Sequence, residues 1–131
     1  MEITVSQEQG RVPVTVFHVT GDLNTETYEQ FQSQAQQAIQ SGARYLLLDL
    51  SEVPYVSSYG VRAISQLFTW LRDSQSENDA TVSKGVRDGT WKSSHLKLLK
   101  PNPRVLKVLT TSGVDMFLEI YDDLQKALAA F

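Results

Sequence analysis

Two adjacent serines, Ser57 and Ser58, stand where a helix is predicted to begin. The residues that follow, including Val61, Ile64 and Leu67, are apolar at helical spacing. A serine hydroxyl at a helix start can accept a hydrogen bond from a free backbone N–H, which stabilises the helix by about 0.5–2 kcal/mol. The same position is suited to a phosphate group. The pair therefore has two interpretations, a helix cap and a phosphorylation site.

A phosphate on one of these serines would act as a surface switch. The N-terminus of a helix favours negative charge, so the fold tolerates the added group. The modification adds a charge of about −1.5 to −2. Because a predicted buried strand precedes the serines, this charge would lie at the C-terminal edge of the strand. A partner docked there would be expelled or recruited without any refolding.

Signals for an enzyme are weak in this sequence. His18 and His95 have no spaced partner, and each is predicted to be an ordinary strand histidine. The phosphate-binding pattern G-x-x-x-x-G-K-[ST] is absent, and neither serine lies within G-x-S-x-G. The chain has no cysteine, and no metal-ligand pair at helical i, i+4 spacing is found. The sequence therefore indicates no catalytic residue, no metal and no cofactor.

One enzyme hypothesis is kept as an alternative. Asp22, Asp49 and Ser58 are all predicted near strand ends, where α/β proteins collect their active-site residues. No base is linked to them in the sequence. Two acids at strand ends are common by chance, and caps or loop-ordering roles are the favoured interpretation of them.

The composition limits the class of protein. The chain has 131 residues, a net charge of −3 and a pI of about 5.3. These values predict one domain, residues 1–131, and disfavour direct nucleic-acid binding, which needs a basic face. No apolar run approaches the roughly 18 residues of a membrane span, and the N-terminus lacks a signal-peptide pattern. We therefore expect a soluble cytoplasmic protein with no membrane association.

The elements that position the serines are predicted from periodicity. Residues 3–7 and 12–20 form an opening hairpin, and residues 45–50 form a strand buried on both faces. Asn24 or Thr25 is expected to cap the first helix, with Glu26 in its first turn. That helix has an apolar face and ends at Gly42.

The C-terminal part continues the alternation of strands and helices. Residues 96–99 form a strand, and Asn102 caps a helix with Val105, Leu106 and Leu109 on its apolar face. Gly113 ends this helix, residues 117–121 form a last strand, and Asp122 caps a closing helix. The order predicts an α/β fold with a mixed, largely parallel sheet of about five strands, opened by the hairpin and packed by about four helices.

A polar segment, residues 74–94, interrupts this pattern and is predicted to be a loop insertion. Solvated loops of this composition are common. The functional interpretation is a partner contact through four basic and aromatic residues, Lys84, Arg87, Trp91 and Lys92.

Three stretches, residues 21–24, 49–61 and 109–128, carry short motifs that occur together in one known family. Through them the chain resembles the STAS domain, the family of bacterial anti-anti-sigma factors (antagonists of anti-sigma factors). The family pattern around its switch is roughly D-L-S-x-V-x-[FY]-[ILV]-D-S-[STA]-G-[LVI], which is matched from Asp49 through Ser58 and Gly60 to Val61. An upstream G-[DE]-L-[DN] element is matched by residues 21–24, and residues 109–128 are similar to the family's ending. The three motifs occur in the family's order and cover nearly the whole chain outside residues 74–94.

The resemblance implies a function and its site. The unmodified domain would bind an anti-sigma factor, often itself a serine kinase, and free a sigma factor. The kinase would phosphorylate Ser58, with Ser57 as the alternative acceptor, and a metal-dependent serine phosphatase would reverse the reaction. The chain would be a substrate and binding module, not an enzyme, and homo-oligomerisation is left open. The partner-binding surface is expected at six residues, namely Asp22, Asn24, Ser57, Ser58, Tyr59 and Gly60.

Two positions depart from the family pattern. Ser57 stands where the family usually has an acid, and Tyr59 is bulkier than the usual residue after the phosphoserine. These departures motivate a second hypothesis, a STAS scaffold that is not phosphorylated and works in a stress-sensing assembly or beside a transporter.

Overall fold

The computed structural model describes residues 1–74 and 93–131. Within these ranges the elements follow the predicted order. The strands are β1 (Glu2–Gln9), β2 (Pro13–Thr20), β3 (Leu46–Glu52), β4 (Leu96–Leu99) and β5 (Glu119–Tyr121). The helices are α1 (Tyr28–Gln40), α2 (Ser58–Ser74), α3 (Pro103–Ser112) and α4 (Leu124–Ala130), with a 3-10 turn at Val114–Met116.

The described strands form one five-stranded sheet in the order β1-β2-β3-β4-β5. The β1–β2 hairpin is antiparallel, and every later pair is parallel. The central strand β3 is buried on both faces, because Leu46, Leu47, Leu48 and Leu50 are all inaccessible to solvent. The predicted mixed, largely parallel sheet opened by a hairpin is confirmed.

The two faces of the sheet are covered unequally. Alternate strand residues such as Phe17, Leu48 and Leu98 face a large core shared with α1, α2 and α3. The residues between them, such as Val16 and Leu47, face a smaller core covered by α4. Helix α4 has only seven residues. We call this second side of the sheet the α4 face.

The starts of α1 and α4 differ from the sequence-based predictions. Residue Thr27, and not Asn24 or Thr25, precedes α1. The Asn24 carbonyl accepts from the N–H groups of Thr27 and Tyr28, which makes a separate turn of the segment predicted as the first helical turn. At α4 the cap is Asp123 and not Asp122, because the Asp123 carboxylate accepts from the Lys126 N–H at 3.0 Å.

Smaller differences occur near the C-terminus. Leu106, predicted on the apolar face of α3, is 38% exposed, whereas Val105 and Leu109 are buried as expected. The last strand begins at Glu119 and not at Phe117, because the Phe117 N–H bonds to Val114 in the 3-10 turn. His95 lies just before β4 and not within it.

The start and end of α3 are as predicted. Asn102 Oδ1 accepts from the Val105 N–H at 2.7 Å, and Gly113 ends the helix in the left-handed conformation at φ 86°. Residues 75–92, which contain Lys84, Arg87, Trp91 and Lys92, lie outside the described residues. In the described ranges, the helices are too short or too polar to cross a bilayer.

Candidate functional site

Two loops meet at the C-terminal ends of the adjacent parallel strands β2 and β3. Leu23 and Val56 form an isolated parallel bridge between them. The Leu23 N–H donates to Tyr55 O, and the Ser57 N–H donates to Leu23 O, each at 3.0 Å. The segment 22–24 is therefore fixed beside the start of α2, and two of the predicted motifs form one surface.

Gly60 allows this close approach. A Cβ at this position would lie 2.5 Å from Leu23 O and 2.7 Å from Val56 Cγ1. Gly60 is buried, so it positions the surface and does not present a side chain to a partner. A glycine is therefore needed at this position of the serine motif for close packing, because any side chain would clash with Leu23 and Val56.

The two serines have different roles. Ser57 precedes α2, its carbonyl accepts from the Val61 N–H at 2.9 Å, and its Oγ accepts from the Gly60 N–H at 3.4 Å. Ser57 is therefore the cap, with a long side-chain hydrogen bond. Ser58 is the first residue of α2, is exposed, and has no side-chain hydrogen bond within residues 1–74 and 93–131. Of the two serines, Ser57 therefore caps the helix, and Ser58 is the one with an exposed hydroxyl.

The remaining predicted contact residues differ in accessibility. Asp22 is exposed, whereas Asn24 is half-buried and its Oδ1 accepts from the Glu26 N–H at 2.9 Å. Asn24 thus shapes its own turn. Tyr59 is 41% exposed, and its ring lies 5.5 Å from the ring of Tyr28 on α1. Asp22, Ser58 and Tyr59 are the members of the predicted set that present side chains to solvent.

A groove of about 360 Å³ runs from Ser58 between α2 and α3. Its walls include Tyr55, Val56, Val61 and Val108, with Lys107 as the cation. Apolar walls beside an exposed hydroxyl and a lysine suit a protein partner that brings an apolar side chain. The groove was not predicted from the sequence, because the position of α3 beside α2 depends on tertiary packing.

Asn102 has a second function at the site that its motif did not indicate. Its Nδ2 donates to Val53 O at 3.2 Å and to Pro54 O at 3.3 Å, while its Oδ1 caps α3. One side chain therefore links the start of α3 to the loop that leads into Ser57.

Asp22, Asp49 and Ser58, the residues of the alternative enzyme hypothesis, do not come together in one site. Leu48 and Leu50 face the large core beneath α1–α3, so Asp49 between them points to the α4 face. Its carboxylate bonds to His18 and to the Ser51 N–H there. Asp49 is therefore separated by the sheet from the helix that carries Ser58. The described residues also contain no cluster of three or more metal-ligating side chains.

His18, which has no spaced partner in the sequence, lies in a polar network. Its Nδ1 is 2.9 Å from Asp49 Oδ2, and its Nε2 is 3.1 Å from Ser6 Oγ. Partial burial raises the pKa of Asp49, but hydrogen bonds from Ser51 and His18 outweigh this effect and lower it below the usual 3.8. The signal that could have found this network is the hairpin register, which places Ser6 diagonally across from His18.

Comparison with known families agrees with the fold and the motifs. The family model for the STAS domain matches residues 4–77, more than half of the chain. The chain therefore belongs to the STAS domain family. A search of curated proteins found no match.

Solved structures with the same fold include several anti-sigma factor antagonists. An anti-sigma-factor antagonist (STAS) domain protein from Planctomyces limnophilus is 22% identical, with a TM-score of 0.71 over 98% of this chain and 95% of that one. An anti-sigma factor antagonist from Mycobacterium paratuberculosis is 19% identical, with a TM-score of 0.68 over 98% and 93%. The phosphorylated Bacillus cell fate determinant SpoIIAA is 17% identical, with a TM-score of 0.61 over 96% of each chain.

Proposed function

We propose that this chain is an anti-sigma factor antagonist, which binds an anti-sigma factor with serine kinase activity and is switched by phosphorylation of Ser58. The observation that carries the proposal is the exposed hydroxyl of Ser58 at the first position of α2, which makes no side-chain hydrogen bond to the residues that the structure describes. It lies beside the loop of Asp22 and at the end of the groove between α2 and α3. The anti-sigma factor antagonists that share this fold support an anti-sigma factor as the class of partner.

A phosphate at Ser58 would change binding without changing the fold. The first turn of α2 has free N–H groups and the positive end of the helix dipole, which stabilise an anion. The same charge of about −1.5 to −2 would stand beside apolar groove walls and the ring of Tyr59. Any partner that buries this surface would have to desolvate the phosphate, so the complex is weakened.

Ser57 is the less suitable acceptor because its hydroxyl is the cap. A phosphate on Ser57 would replace the hydrogen bond to the Gly60 N–H in a half-buried position. The cap also accounts for the departure from the family pattern. Serine and aspartate are comparable capping residues, so Ser57 can replace the usual acid without loss of the helix start.

The proposal includes the rest of the cycle. The kinase activity belongs to the anti-sigma factor, and a serine phosphatase restores the unmodified chain. The protein itself needs no cofactor, does not contact nucleic acid, and regulates transcription from the cytoplasm through its partner.

The experiment is affinity capture from the native host with matched baits. Ser58→Ala keeps the surface neutral, Ser58→Asp adds a charge at the switch, and Ser33→Asp makes the same change at an exposed position within α1. We expect Ser58→Ala and Ser33→Asp to retain an anti-sigma factor. Ser58→Asp should bind it at least about tenfold more weakly, equivalent to about 1.4 kcal/mol.

A second candidate is a STAS scaffold that is not phosphorylated. The observation in its favour is Tyr59, whose ring packs against Tyr28 next to the acceptor hydroxyl and adds bulk where a kinase must approach. The same capture experiment separates the two functions. Equal binding of Ser58→Asp and Ser58→Ala to a partner would contradict the switch and favour the scaffold.

A further inference from the structure

The α4 face carries three side chains in the hydrogen-bonding order of a serine nucleophile, a histidine base and an orienting carboxylate. Ser6 Oγ is 3.1 Å from His18 Nε2, and His18 Nδ1 is 2.9 Å from Asp49 Oδ2. We propose that Ser6 is an activated nucleophile, and that this site accepts acyl groups from small activated esters. The proposal is independent of the switch at Ser58.

The sheet register holds the three groups together. His18 and Asp49 are direct partners in the parallel β2–β3 pair. Ser6 pairs with Val16 in the antiparallel β1–β2 hairpin, so it is diagonal to His18 on the same face. Three adjacent strands therefore each supply one member, and their positions are fixed by backbone pairing.

The hydrogen bonds define the direction of proton movement. Asp49 Oδ1 accepts from the Ser51 N–H at 3.0 Å, which orients the carboxylate so that Oδ2 faces His18. An ionised carboxylate only accepts, so Nδ1 of a neutral His18 carries the hydrogen. Nε2 then has a free lone pair aimed at Ser6, whose hydroxyl donates to it. This arrangement is that of an activated nucleophile with its base and orienting group.

The site is accessible to small molecules. The side chain of His18 is 43% exposed and Ser6 is half-buried, whereas Asp49 is only 15% exposed. Helix α4 packs on Val14 and Val16, which precede His18 in β2. The nucleophile and base thus face solvent while the orienting carboxylate is shielded.

The reaction balances within the site. Ser6 Oγ forms a bond to the ester carbonyl carbon as His18 Nε2 takes the hydroxyl proton. The bond from the carbonyl carbon to the leaving oxygen then breaks, and His18 returns the proton to the released alcohol or phenol. Water, activated by the same Nε2, hydrolyses the acyl-serine and restores Ser6. An open face offers little substrate selection, so activated esters with good leaving groups are the class that fits.

The test is covalent labelling of the full chain with a fluorophosphonate, which forms a Ser–O–P bond and releases fluoride. Trypsin releases residues 1–11 as a peptide in which Ser6 is the one serine. Ser58, which is exposed and has no base hydrogen-bonded to it among the described residues, is an internal reference in the same molecule. We expect Ser6 to be labelled about a hundredfold faster than Ser58, the lower end of the range for general-base catalysis.

Matched variants separate activation from structure. His18→Gln should lower the rate at Ser6 about a hundredfold and leave Ser58 unchanged, while His95→Gln, the same substitution on the other histidine, should have no effect. Ser6 labelled no faster than Ser58 in the unaltered chain overturns the proposal. Equal Ser6 rates with and without His18 also overturn it. The first comparison needs no variant, so it holds even if His18→Gln unfolds the protein.

Discussion

Replacing Gly60 with alanine should destabilise the protein, although helix propensity alone predicts the opposite. In a helix, alanine is favoured over glycine by about 1 kcal/mol. At Gly60 the new Cβ would lie 2.5 Å from Leu23 O and 2.7 Å from Val56 Cγ1. The sign of the effect therefore tests whether the loop of residues 22–24 packs against α2 as described.

The magnitude follows from three contributions. Overpacking of a rigid site costs about 1–3 kcal/mol. Leu23 O cannot move away without weakening its hydrogen bond to the Ser57 N–H, which is worth about 0.5–1.5 kcal/mol. Subtracting the gain of about 1 kcal/mol in helix propensity leaves a net loss of about 0.5–3.5 kcal/mol. For a domain of this size, the melting temperature should fall by roughly 2–18 °C.

The assay is equilibrium urea unfolding followed by far-UV circular dichroism. Ser58→Ala is the matched control, since it alters an exposed side chain in the same helical turn and should change the free energy of unfolding by less than about 0.5 kcal/mol. A Gly60→Ala protein that equals or exceeds the stability of the unaltered chain would refute the reasoning. It would mean that the two loops are not in contact as described.

Three further predictions concern stability. Ser57→Ala should cost about 0.5–1 kcal/mol in urea unfolding, because its capping hydrogen bond is long, and a loss no greater than that of Ser58→Ala would contradict the assignment of the cap. Asn102→Ala should cost about 1–2 kcal/mol, because both the α3 cap and the link to the Val53 loop are lost; an unchanged urea midpoint would argue against this. The pKa of Asp49 is lower in the folded state than in the unfolded state. The ionised carboxylate therefore adds to the free energy of unfolding at a pH above its unfolded pKa near 3.8, and this stabilisation is lost as the pH falls through its folded pKa. Asp49→Asn should therefore flatten the acid limb of a stability-against-pH curve below about pH 5, and an equally steep limb in the variant would show that other carboxylates dominate.

The fold was predictable because local and global signals agreed. Several local signals each indicate a single kind of secondary structure. They are the buried apolar run of β3, the asparagine and proline that begin α3, and Gly113 at the end of α3. The order of these strands and helices along the chain leaves few possible topologies other than a mixed sheet. The caps of α1 and α4 were misplaced because several capping residues occur in succession, and the chosen one depends on the turn geometry.

Side-chain relationships across the sheet were less predictable. No sequence pattern around His18 indicated its hydrogen-bond partners, because Ser6 and Asp49 are 12 and 31 residues away along the chain. Lys97 appeared as a polar residue in an apolar strand, yet it is 2% exposed and pairs with Glu119 at 2.9 Å. Both pairings depend on strand register. The proximity of residues 22–24 to Ser57 was expected from the family resemblance, but the groove between α2 and α3 required the packed structure.

Phosphopeptide mass spectrometry of the protein from its native host tests the central claim most directly. Trypsin should release residues 45–62 as one peptide that contains Ser51, Ser57 and Ser58. We predict phosphate on Ser58, in an amount that changes between growth and stress. A well-detected peptide that carries no phosphate in either condition, or carries it on Ser57 alone, would contradict the assignment of Ser58 as the switch.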